Sequence, residues 1–179
     1  MLFRSSKDIE NFLDLNPSIR IFRNSYRKAA ESDDSILIDG PSGVGKATLA
    51  RALHGSSRYR DNAFVSFDCA NMDDGSFANR LFRDGTGRLD ADHFSKNTIR
   101  AKTVFLNNVQ DLSEANQHLL LEWLDQFQRP RESGRSNIIR MICSVTGSAI
   151  ELARNGKLLE DRKSTRLNSS HLVISYAVF

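Results

Sequence analysis

Apolar positions along the chain fall into two amphipathic stretches and then a series of short apolar runs. Ile9, Phe12 and Leu13 recur at helical spacing behind Ser5 and Ser6, either of which suits an N-cap. Asn16-Pro17 opens a second helix, because proline at the first helical position leaves no N–H unpaired. Ile19, Phe22, Tyr26, Ala29 and Ala30 give that helix one apolar face, and Glu31-Ser32-Asp33-Asp34 ends it. Beyond it the period switches back and forth. Residues 35–39 (SILID), 63–68 (AFVSFD), 102–107 (KTVFLN) and 138–145 read as strands. Residues 45–54, 73–82, 113–128 and 148–155 read as helices, the last closed by Gly156. Strands alternating with helices predict an α/β fold: a mostly parallel sheet covered on both faces.

Composition narrows the picture. A chain of 179 residues that is 40% hydrophobic supports one domain with a real core and leaves little room for a second. No run approaches the roughly 18–20 apolar residues that span a bilayer, and the N-terminus lacks the apolar core of a signal peptide. Cys69 and Cys143 sit far apart in apolar runs and read as buried free thiols, which suits the cytoplasm. The net charge of +3 resides in residues 162–179, which hold Arg162, Lys163 and Arg166 and no acid; the rest is neutral. The body therefore offers no charge argument for nucleic-acid binding.

Chemistry concentrates in one loop. Gly40-Pro41-Ser42-Gly43-Val44-Gly45-Lys46 matches G-x-x-x-x-G-K between a strand and a helix. Its glycines let backbone N–H groups curl around phosphates at a helix N-terminus, and Lys46 reaches the β- and γ-phosphates. By chance alone the pattern arises in about one chain in twenty of this length; the flanking strand and helix make it specific. Ala47 stands where a magnesium-binding Ser or Thr is usual, and Thr48 comes one place late, about 100° around the helix. Trp123, Leu119, Leu120, Leu124 and Phe127 form a core stripe. His54 and His118 have no partners at metal-ligand spacing, so no protein metal site is expected. Arg129, Arg131 and Arg135 make a small basic loop of the kind that is usually solvated. No Ser/His/Asp or Cys/His arrangement points to covalent catalysis.

Several strings then fall in order. Arg27-Lys28-Ala29-Ala30 precedes the first strand, and residues 40–57 read GPSGVGKATLARALHGSS. Phe64-Val65-Ser66-Phe67-Asp68-Cys69-Ala70, Arg80-Leu81-Phe82, residues 103–108, Arg140-Met141-Ile142 and Gly156-Lys157-Leu158-Leu159-Glu160-Asp161 follow. Over residues 18–161 the chain resembles the AAA+ central domain of sigma-54-dependent transcriptional activators, the bacterial enhancer-binding proteins. The resemblance implies a three-layer P-loop NTPase fold. Residues 103–108 fall on its Walker B strand and Arg140-Met141-Ile142 on its sensor I strand. A residue other than Ser or Thr after the lysine is common there, so Ala47 is a mild departure.

Other departures bear on mechanism. The family ends its Walker B strand with Asp-Glu, whereas this chain has Asn107-Asn108. Hydrolysis normally needs both carboxylates, and neither amide serves as a base at neutral pH. One reading is a domain that does not hydrolyse ATP. Another has Asp68, where the family has an asparagine, exchanging roles with Asn108 and supplying a carboxylate from the neighbouring strand. The family's long sigma-contacting insertion is replaced by the shorter residues 83–102, with Gly85-Thr86-Gly87 as its only echo. Leu159 stands where a first arginine-finger candidate is expected.

The resemblance implies ATP as ligand at Gly40, Pro41, Ser42, Gly43, Val44, Gly45, Lys46, Ala47 and Thr48, with a weakly held magnesium. It implies a cytoplasmic regulator that self-associates through AAA+ interfaces in a longer protein. An RNA polymerase sigma factor is a candidate partner; DNA would be reached only through a C-terminal domain this chain is expected to lack, and no membrane is involved. Residues 1–161 form the expected nucleotide-binding domain, partial and without its helical lid. Residues 162–179 (RKSTRLNSSHLVISYAVF) break the resemblance and look like a translated sequencing-adapter tail, which removes Arg166 as a finger and His171 as a ligand. Two rivals stand beside an ATP-binding regulator domain: a pseudo-ATPase module that regulates without turnover, and an unrelated P-loop enzyme.

Overall fold

A computed structural model describes residues 20–73, 75–77, 101–127, 139–159 and 172–175. The expected helix around Ile9, Phe12 and Leu13, the start at Asn16-Pro17, Arg80-Leu81-Phe82, Gly85-Thr86-Gly87, the arginines 129, 131 and 135, Glu160-Asp161, Arg166 and His171 lie outside them.

The elements run α1 (Arg20–Glu31), β1 (Ile36–Gly40), α2 (Lys46–Gly55), β2 (Ala63–Asp68), β3 (Ala101–Asn107), α3 (Glu114–Phe127), β4 (Arg140–Thr146), α4 (Ala149–Arg154) and β5 (Leu172–Ser175). Short 3-10 turns follow β2 (Cys69–Asn71) and β3 (Val109–Asp111). Of the helix expected over 73–82, residue 73 and residues 75–77 are described, and only 75–77 of these are helical. The strands form one sheet in the order β2-β3-β4-β1-β5, with every pairing parallel. β5 lies within residues 162–179, expected from the sequence to be a non-native tail, and it pairs with β1 from Ile36↔Leu172 to Asp39↔Ser175.

Side chains alternate between two apolar layers because successive strand residues point to opposite faces. Ile36, Ile38, Phe105 and Ile142 face Tyr26, Ala29 and Ala30 of α1 and Leu49, Ala50, Ala52 and Leu53 of α2. Val104, Leu106, Met141, Cys143 and Val145 face the other way, onto Phe77, Leu120 and Trp123 of the α3 stripe, and Ala149. The result is helix, sheet, helix. β2 lies at a sheet edge and is only half covered, so its alternating pattern differs from the continuous burial of β4.

Two polar devices tie α1 to α2 and both helices to the sheet. Tyr26 donates to the Ala52 carbonyl at 3.1 Å and shares a hydrogen bond with Ser56 Oγ at 2.8 Å. Arg140, fully buried on β4, donates to the Leu53 carbonyl at 3.3 Å and to the Ala29 carbonyl. A guanidinium at the C-terminal ends of two helices satisfies carbonyls that lack helical partners. Burial lowers its pKa to about 10, which leaves it charged. Both cysteines are free and buried.

Candidate functional site

β1 ends at Gly40 and α2 begins at Lys46, so the glycine-rich stretch turns the chain at the C-terminal edge of the sheet. Gly43 (φ 79°) and Gly45 (φ 98°) adopt left-handed backbone, which a side chain would strain. Gly45 is the residue before α2, and its carbonyl receives the Leu49 amide at 2.9 Å. Pro41, Ser42, Gly43 and Ala47 are exposed, while Val44, Gly45 and Thr48 are half-buried. Successive amides in such a turn, ahead of a ten-residue helix, can serve as a cradle for an anion.

Lys46 is buried and uses all three of its donors within the chain. Its Nζ donates to the Gly40 carbonyl at 3.0 Å, the Pro41 carbonyl at 2.8 Å and Thr146 Oγ1 at 3.4 Å. Desolvation lowers its pKa, and the Asp39 carboxylate acts the other way. Gly40 is also locked to Gly147 after β4, amide to carbonyl in both directions at 3.1 and 3.0 Å.

From Thr146 a polar relay crosses the sheet. Thr146 Oγ1 donates to Asn108 Oδ1 at 3.0 Å, and Asn108 Nδ2 donates to Asp68 Oδ1 at 3.3 Å. Asn107 Nδ2 stands 3.5 Å from the same oxygen, and Asn71 Nδ2 donates to Asp68 Oδ2 at 3.0 Å. Ser144 Oγ donates to Asn107 Oδ1 at 2.7 Å and accepts the Asn108 amide at 3.3 Å. The Thr146 amide donates to Gln110 Oε1 at 3.2 Å. One exposed carboxylate is thus gripped by three amide side chains, and the group connects through one hydroxyl to the loop lysine. Asn108 has φ 59° and ψ 52°, the only non-glycine residue with positive φ among those described.

Residues 13–172 match the family model of the Sigma-54 interaction domain. The chain belongs to the Sigma-54 interaction domain family. The domain is 28% identical over 160 residues to the Nif-specific regulatory protein of Klebsiella pneumoniae, covering 86% of this chain and 30% of that protein. It is 30% identical over 144 residues to the acetoin dehydrogenase operon transcriptional activator AcoR of Bacillus subtilis, covering 75% of this chain and 24% of that one. It therefore spans less than a third of either regulator's length. Among solved structures, NtrX from Brucella abortus in complex with ATP superposes at a TM-score of 0.63 with 22% identity, covering 89% of this chain and 37% of that one. The P-loop NTPase domain of an Escherichia coli sigma-54 activator gives 0.54 and 19%, covering 89% and 96%. These two likenesses show the fold, a P-loop NTPase-type α/β domain.

Within this Sigma-54 interaction domain, Gly40 to Lys46 lie together at the end of β1, while Asp68, Asn107 and Asn108 cluster at the ends of β2 and β3. Leu159 lies away from both groups in its contacts, its amide donating to Gln117 Oε1 on α3 at 2.9 Å. Sequence reasoning missed Thr146, Ser144, Gln110, Asn71 and Asp39. A polar residue interrupting an apolar strand was the available signal for Ser144 in RMICSVT and Asp39 in ILIDG. Among the described residues no group of three or more His, Cys, Asp or Glu side chains suits a metal ion, and no helix is long and apolar enough to cross a membrane.

Proposed function

We propose that this domain binds ATP within a bacterial transcriptional regulator and turns it over slowly or not at all. The observation that carries this reading is the junction of an intact phosphate loop with an amide cluster where hydrolysis needs carboxylates. The backbone of Gly40 to Gly45 and the Lys46 ammonium hold the phosphates, and Ala47 and Thr48 lie at the start of the helix beneath them. An ATP complex of the structurally similar NtrX adds support.

Magnesium fits this donor set poorly. Ala47 brings no side-chain oxygen, Asn107 Oδ1 already accepts from Ser144 and Asn108 Oδ1 from Thr146, and both Asp68 oxygens accept amides. An ion arriving with ATP would be carried mainly by phosphate and water. Asp68 is the carboxylate of the cluster, so any residual hydrolysis is assigned to it, with Asn107 and Asn108 orienting it. Output then runs through nucleotide-dependent self-association of the longer protein rather than through direct sigma-54 contact, given the shortened residues 83–102.

One observation favours the second reading, an empty pseudo-ATPase scaffold: Lys46 is already fully hydrogen-bonded inside the chain. Phosphate release by the full chain at saturating ATP tests the proposal, with Asp68→Asn alongside. Expected is release near background, with any remainder abolished in the variant. Turnover on the order of 1 per second or faster would contradict slow hydrolysis, and a remainder above background that persists in Asp68→Asn would remove Asp68 from the site.

A further inference from the structure

Asp39 closes the buried run of β1, one residue ahead of the phosphate loop, and is only 7% exposed. A carboxylate at that depth is costly unless paired. Its pairing is half complete. Oδ2 accepts the Ala149 amide at the start of α4 at 3.1 Å, whereas Oδ1 is buried with no hydrogen-bond partner. A neutral amide or hydroxyl oxygen would accept the Ala149 amide equally well, so holding α4 does not require the charge.

The residue stands next to the phosphate site in the chain, at the end of β1. Asp39 is joined by one peptide unit to Gly40, whose carbonyl receives both Lys46 Nζ and the Gly147 amide. Lys46 feels it: burial lowers the ammonium's pKa, and Asp39 opposes that effect. The same field that favours the ammonium disfavours an incoming anion. Like-charge repulsion grows with ligand charge, so it weighs more on a triphosphate than on a diphosphate. Burial of Asp39 limits screening by salt.

We propose that Asp39 is a specificity-determining residue, a fixed negative charge beneath the phosphate loop that weakens ATP binding more than ADP binding. This rests on the nucleotide-binding reading above. It makes the domain's preference between the two nucleotides shallower than the loop alone would give.

The test is isothermal titration of the full chain with ATP and with ADP, comparing the native protein, Asp39→Asn and Asp39→Thr. The two neutral variants keep an oxygen for the Ala149 amide, and the threonine serves if the asparagine variant misfolds. Expected is ATP affinity about ten-fold higher in the variants, with ADP affinity rising by less than about three-fold. Equal gains for both nucleotides, no change, or weaker ATP binding in a folded variant would overturn the proposal. Absence of saturable binding in every protein would instead overturn the nucleotide-binding reading, and this inference with it.

Discussion

Asn108 decides more at the residue scale than its place in a degenerate motif suggests. Its left-handed backbone lets its carbonyl receive the Asp111 amide at 3.0 Å and turns its side chain between Thr146 and Asp68. Asparagine tolerates that conformation; a glutamate there carries the ordinary penalty of about 1–2 kcal/mol and sets a second carboxylate beside Asp68. Asn108→Glu is therefore expected to lower unfolding stability in urea by at least that amount and to restore no hydrolysis alone. Adding Asp68→Asn should recover part of the loss by removing the like charge. A fully stable Asn108→Glu protein would contradict this. The Asn107-Asn108 replacement was legible in the sequence, because two amides stand in for two acids. The relay through Thr146 was not, since nothing in a linear pattern aligns the end of β4 with the end of β3. Asp39 was visible only as a polar letter ending an apolar run, with no indication that one of its oxygens lacks a partner.

At the scale of elements, most boundaries could be read to within one or two residues, because apolar runs and caps mark them. Ser148 caps α4, accepting the Glu151 amide at 3.4 Å, and Gly156 follows with φ 68°. Less legible was how elements are pinned to one another. His54, on α2, is buried, and its Nδ1 meets Thr103 Oγ1 on β3 at 2.9 Å. Desolvation lowers its pKa, a backbone hydrogen bond with Asn62 opposes this, and the Arg140 charge adds to the lowering. A base whose folded pKa lies below its unfolded value of about 6.5 loses a proton on folding. Its contribution is therefore fully present above that pH and is lost as pH falls toward the folded pKa. The urea midpoint is expected to fall between pH 7.5 and pH 5.5, and His54→Gln should reduce that dependence. A native midpoint that rises on acidification, or a variant with undiminished sensitivity, would contradict this role.

The whole molecule is a sheet whose C-terminal edge brings loop and amide cluster together, and whose β1 side is completed by β5. Alternation of strands and helices made the α/β layering legible, because the periods differ and each strand needs cover on both faces. The tail was legible as an apolar strand-like run, although the family match extends to residue 172, beyond the expected break at Asp161; its pairing with β1 was not, since register is a property of the folded sheet. We propose that residues 162–179 are dispensable for the core. Deleting them should leave a folded domain with a lower unfolding midpoint and a β1 edge that promotes association, read by size-exclusion chromatography. Complete unfolding on deletion would make β5 an integral strand.

Nucleotide binding through the phosphate loop is the claim on which the rest depends. Its most direct test is titration of the full chain with a fluorescent ATP analogue in the presence of magnesium, beside Lys46→Ala with its fold checked by circular dichroism. Expected is saturable binding by the native chain that falls by at least about ten-fold in the variant, as loss of a charge-assisted contact to phosphate requires. Equal binding by both folded proteins, or none by either, would contradict a working phosphate loop.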